Sequence, residues 1–91
     1  MGKKRYKMII SGRVQNVFFR DGVKEHADRF FLTGFVRNCP DGTVEVVAEG
    51  EEHKLESLAR YCRVGPNAAK VSRLDLIEAE FEDEFDGFNV R

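Results

Sequence analysis

A chain of 91 residues, 42% hydrophobic and 34% charged, has the length of one domain and the composition of a globular one, which sets aside disordered and fibrous classes. No apolar run approaches the roughly 20 residues of a membrane span, and Met8-Ile9-Ile10 behind the basic N-terminus is too short for the core of a secretory signal. The expectation is a single domain over residues 1–91, cytoplasmic and monomeric, without a membrane partner. The net charge of -1 conceals an asymmetry: residues 1–37 carry 9 Lys/Arg against 3 Asp/Glu, and residues 38–91 carry 6 against 13. A basic first half is compatible with an anionic ligand but names none. Cys39 and Cys62 have neither CxxC spacing nor histidine partners for zinc, so free thiols are expected, although spacing alone leaves one bridge open.

In chain order, Arg5 to Ser11 has an apolar, β-favouring centre and reads as a strand ending at Gly12. Beyond a loop, Val23, Ala27, Phe30 and Phe31 recur at helical spacing opposite Lys24, Glu25 and Asp28, which predicts an amphipathic helix from about Asp21 to Leu32. Thr33-Gly34 is read as its stop. Phe35 to Asn38 is a second strand, and Cys39-Pro40-Asp41-Gly42 is a turn, because Pro presets φ and Asp-Gly tolerates left-handed backbone. Thr43 to Glu49 alternates as a third strand, with Gly50 as its end. A second helix begins at Glu51-Glu52 and gathers Leu55, Leu58, Ala59 and Cys62 on one face. Gly65-Pro66-Asn67 is a loop, a fourth strand lies within Val71 to Phe81, and Phe88-Asn89-Val90 is a short final strand. The acidic segment from Glu80 to Asp86 reads as a solvated bulge or turn.

Alternating strands and two one-sided helices in the order β-α-β-β-α-β fit an α+β fold, the ferredoxin-like split βαβ sandwich: an antiparallel sheet with two helices on one face. Such a fold hosts many functions, so activity has to come from a site.

The loop GRVQNVFFRDG, Gly12 to Gly22, is the candidate. The first amides of a helix have no partner within it, and a strand-to-helix loop that exposes several of them favours an anion. Arg20 at this helix mouth opposes the helix dipole at a cost of about 0.3–1 kcal/mol, a conflict that an anion between them removes. A guanidinium suits phosphate because it donates two parallel hydrogen bonds. The loop lacks GxxxxGK[ST], so nucleotide hydrolysis is not indicated.

GRVQNVFFR resembles the G-x-V-Q-G-V-x-F-R signature of acylphosphatases, and GFVRNCPDGTVEVVAEG resembles that family's G-x-V-x-N-x-x-D-G-x-V-E. Weaker similarity runs through Gly65-Pro66 and Ala69-Lys70-Val71 to the terminal Gly87-Phe88-Asn89-Val90. The resemblance implies the ferredoxin-like fold and hydrolysis of the carboxyl–phosphate bond of a small-molecule acyl phosphate, releasing a carboxylate and inorganic phosphate without metal or organic cofactor. Carried over by position, it implies that Arg20 binds the substrate phosphate together with the loop amides of Gln15, Asn16, Val17, Phe18 and Phe19, and that Asn38 orients the attacking water. Inorganic phosphate would be both product and competing ligand. Position 16 departs from the pattern, with Asn where the family has Gly. If that backbone is left-handed, Asn strains it by only about 1 kcal/mol and binding is retained with some weakening; if it lies in a region open only to Gly, the loop amides tilt and phosphate affinity falls.

Other residues point elsewhere less strongly. His26 and His53 fall on predicted helices as surface or boundary groups, and Glu80, Glu82, Asp83, Glu84 and Asp86 lack calcium-loop spacing. Phe18, Phe19, Phe30 and Phe31 read as core anchors rather than a base-stacking platform. The third strand, TVEVVAE, carries two acidic groups and no aromatic, which disfavours nucleic acid. The rival from a different class is an anion-binding or interaction module on the same fold with weak or no catalysis.

Overall fold

The structure is a computed structural model that describes residues 2–91. Its elements are β1 (Lys3–Arg13), α1 (Phe19–Arg29), β2 (Thr33–Asn38), β3 (Val44–Glu51), α2 (Glu52–Val64), β4 (Lys70–Glu80) and β5 (Phe88–Val90). They build one five-stranded sheet in the order β4-β1-β3-β2-β5. The four long strands pair antiparallel, as expected, and β5 adds to the outer edge of β2 in parallel, making the sheet mixed.

The alternation of β1 explains where the helices go. Tyr6, Met8 and Ile10 point into one face and are buried with Val36, Val44, Val46, Ala48 and Phe88 from the neighbouring strands. Against that face lie Phe19, Val23 and Ala27 of α1 and Leu55, Leu58, Ala59 and Cys62 of α2. Fully burying side chains of this size contributes about 1.5–3 kcal/mol each, so this layer carries the fold. Cys39 and Cys62 are free, and burial pushes the Cys62 thiol up to about 12, which keeps it protonated and packed as a small apolar group. The helices meet where His26 stacks on Tyr61 at 5.1 Å, and burial lowers the His26 pKa.

Four sequence expectations change. Helix α1 stops at Arg29, short of Leu32, because Phe31 turns left-handed (φ 59) and the Leu32 N–H reaches back to the Ala27 carbonyl at 2.9 Å. Thr33 and Gly34 are the first rungs of β2, paired with Glu49 and Ala48, rather than a stop. Gly50 continues β3, paired with Lys4; a Cβ there would meet Leu32 Cδ2 at 2.4 Å, so the glycine makes room for a buried leucine. Phe18 and Phe31 are not core anchors: they are 76% and 82% exposed, while Phe19 is buried.

The acidic segment after β4 is also docked rather than solvated. Glu49 points away from the helices yet is 1% exposed, because this segment folds across it. Its carboxylate accepts the N–H groups of Glu82 at 2.7 Å and Glu84 at 3.4 Å, and pairs with Arg5 at 3.2 Å. Arg5 also pairs with Glu84, and Phe85 packs edge-on against Phe35. Asp83, between the two donating residues, is left-handed at φ 54. The strap thereby delivers Gly87, whose carbonyl accepts the Gly34 N–H at 2.9 Å, and starts β5.

Candidate active site

The loop between β1 and α1 is held at both ends by core residues. Val14, Val17 and Phe19 are buried, which leaves the residues between them little choice of path. Asn16 (φ 62) and Phe18 (φ 65) are both left-handed, on either side of Val17. Alternation of hand along a short stretch curves the chain into a concave nest of N–H groups, the backbone geometry that receives anions. Among the described residues, the N–H groups of Gln15, Asn16, Val17, Phe18 and Phe19 donate to no backbone or side-chain acceptor. The nest runs directly into the N-terminus of α1, whose dipole adds positive potential.

Arg20 is the second residue of α1, and its Nη1 donates to the main-chain oxygen of Arg91 at 3.1 Å. No Asp or Glu side chain among the described residues pairs with it. Asn38 is the last residue of β2, beyond which the turn to β3 begins. Its Oδ1 is, among the described residues, the one buried side-chain polar atom without a hydrogen-bond partner. Leaving such an acceptor unpaired costs about 1–3 kcal/mol, which makes it a place where a donor would be welcome.

These parts share one cleft of about 360 Å³, lined by Val14, Asn16, Phe18, Phe19, Arg20, Asp21 and Asn38. The fold thus brings together five of the seven residues singled out from the sequence: Asn16, Phe18, Phe19, Arg20 and Asn38. Val17 faces the core and Gln15 does not line the cleft. The Gln15 side chain does something the sequence did not disclose. Its Nε2 donates to the carbonyls of Cys39 at 2.8 Å and Thr43 at 2.9 Å, clamping the loop to the turn that follows Asn38. Val14 and Asp21 were also missed as lining; their only signal was adjacency to the loop and to Arg20. Asn16 has the left-handed backbone (φ 62) under which Asn is among the least strained replacements for Gly. Among the described residues, no group of three or more His, Cys, Asp or Glu is placed to hold a metal ion.

Fold and cleft together define an α+β sandwich with an arginine-bearing, amide-rich cleft at its first strand-to-helix junction. The family model described as acylphosphatase matches residues 6–90. An acylphosphatase of Rubrobacter xylanophilus is 46% identical over 88 residues, covering 97% of this chain and 80% of that one. Among solved structures, an acylphosphatase from Bacillus subtilis superposes with a TM-score of 0.93 at 35% identity, covering 97% of this chain and 98% of that chain. One from Coxiella burnetii gives 0.91 at 38% identity, covering 98% and 93%. The chain belongs to the acylphosphatase family, and the sequence expectation of an acyl phosphate hydrolase stands.

Proposed function

We propose that the cleft is the catalytic centre and that its residues divide the work as follows. The phosphoryl group sits in the nest, its oxygens accepting the N–H groups of the loop from Gln15 to Phe19 and the guanidinium of Arg20. Water held by the Asn38 side chain attacks phosphorus, the bond from phosphorus to the acyl oxygen breaks, and the carboxylate leaves with the electron pair. Phosphoryl transfer of this kind asks chiefly for positioning and for stabilisation of charge on the equatorial oxygens, where each well-aimed donor supplies roughly 3 kcal/mol. A carboxylate leaves without a strong general acid. Asn38 stays neutral, so it orients the water through its Oδ1 without acting as a base. The proton passes to the bound phosphate or to bulk water.

The observation that carries this reading is the convergence at one cleft, among the described residues, of N–H groups without acceptors, an arginine without an acidic side-chain partner and a buried amide oxygen without a donor. A phosphate would meet the free N–H groups and the guanidinium, whose Nη1 also donates to the Arg91 main-chain oxygen, and a water would meet the amide oxygen. The same reading has the domain acting as a cytoplasmic monomer on small-molecule acyl phosphates, without nucleic acid. No helix is long and apolar enough to cross a membrane.

Phosphate release from acetyl phosphate tests the assignment. Arg20→Ala should abolish both turnover and inhibition by inorganic phosphate. Asn38→Ala should lower kcat by about 100-fold or more, the scale of one lost transition-state contact, while the inhibition constant of phosphate shifts far less. Full activity in Asn38→Ala would sink its role. Phosphate binding without turnover in the unaltered chain would favour the interaction module.

A further inference from the structure

The amides and Arg20 account for the phosphate half of the substrate; nothing so far accounts for the acyl half. Of the residues lining the cleft, Asn16, Arg20, Asp21 and Asn38 are polar, and Val14 and Phe19 are each 1% exposed with side chains committed to the core. Phe18 is the one apolar side chain that the cleft presents to solvent.

Two costs meet at this residue. A bulky side chain in left-handed backbone is strained, and a phenyl ring 76% exposed forgoes the burial its neighbours enjoy. Phe31 shows that the combination is not by itself informative. It is also left-handed and 82% exposed, but it ends α1 in ordinary helix C-terminal geometry and its ring lies 5.4 Å from Lys54 Nζ. Phe18 stands at the opposite end, at the N-cap, where extended backbone is usual. Among the described residues, no aromatic or cationic group packs on its ring. Its backbone reversal lets Val17 and Phe19 enter the core while residue 18 stays at the cleft.

We infer that Phe18 is the acyl-group contact, the surface on which the acyl substituent lies while the nest holds the phosphate, and that the site consequently prefers aromatic acyl phosphates to short aliphatic ones. This rests on the hydrolase reading above and adds the class of acyl group. A ring offered edge-on or offset to another aromatic gains both contact area and quadrupole attraction, together worth roughly a fivefold to tenfold preference.

Two ratios test it in the unaltered chain, Phe18→Asn and Phe18→Tyr. One is kcat/KM for benzoyl phosphate over acetyl phosphate; the other is affinity for phenylphosphonate over methylphosphonate, which needs no turnover. Asn suits left-handed backbone better than Phe does, so the nest keeps its shape while the ring is lost. Differences in leaving group cancel when each ratio is compared between variants. Expected is a fall of about fivefold to tenfold in both ratios for Phe18→Asn, with Phe18→Tyr within about twofold of the unaltered chain. Phe31→Asn should alter neither ratio. Ratios unchanged in Phe18→Asn, or lowered equally in Phe31→Asn, overturn the inference. If the unaltered chain hydrolyses neither acyl phosphate, the hydrolase reading falls. The phosphonate ratio then decides the contact alone: its loss in Phe18→Asn supports the contact, and its persistence overturns it.

Discussion

Two loops on opposite sides of the sheet use the same device to different ends. In the strap after β4, a left-handed Asp83 turns the N–H groups of Glu82 and Glu84 onto one carboxylate, Glu49, which Arg5 also meets. In the loop before α1, left-handed Asn16 and Phe18 curve a longer run of N–H groups beside Arg20, and among the described residues no side-chain carboxylate accepts from them. The strap contains its own anion, and the result is architecture: a segment pinned to the sheet that starts β5. The loop's N–H groups have no acceptor among the described residues, and on the proposed reading they receive an anion from outside. A nest of amides with an arginine is therefore neither structural nor functional by itself; the source of its anion decides.

The comparison can be broken most sharply at the two arginines. Arg20→Lys keeps the charge but loses the planar pair of donors, and should cost about 100-fold in kcat/KM for acetyl phosphate. Arg5→Lys should leave kcat/KM of the folded protein within about twofold, because it acts on the strap. Comparable activity losses in both would erase the distinction. Next in size, Glu49→Gln takes the internal anion away while keeping its shape. It should lower unfolding free energy in urea by roughly 2–4 kcal/mol, since Arg5 and the two N–H groups lose a buried charged acceptor. An unchanged unfolding midpoint would show that the strap is not held through Glu49. The smallest effect is expected from Asn16→Gly, which only relaxes a left-handed residue that Asn already tolerates: phosphate affinity should move by less than about threefold. A larger gain would mean that Asn16 distorts the nest.

The residues that bear on these tests were unequally visible in the sequence. Arg20 and Asn38 stood out because their signal is local: one opposes a helix dipole, and both fall in motifs that resemble a known family. Phe18 did not. A run of two phenylalanines before a helix reads as core, and only the left-handed turn at residue 18 separates an exposed ring from the buried one beside it. The burial of Glu49 was equally hidden, because the strap covering it arrives from more than 30 residues away. Gln15 was read only for its backbone amide, and nothing local showed that its side chain is spent on carbonyls 24 and 28 positions further on.

By itself, the sequence determined what depends on neighbours: the α2 face, Val23 and Ala27 on the α1 face, the Cys39–Gly42 turn, the element order along the chain, and a loop with unpartnered amides at a helix mouth. Hydrophobic period and turn chemistry are properties of a few adjacent residues, so they survive without a fold. The tertiary structure decided which of two similar amide nests is filled by the chain, which phenylalanine faces the cleft, and how β2 is tied to the loop so that Asn38 and Arg20 share it. Those outcomes depend on which distant backbone and carboxylate groups are brought within hydrogen-bond range, and only the closed sheet fixes those distances.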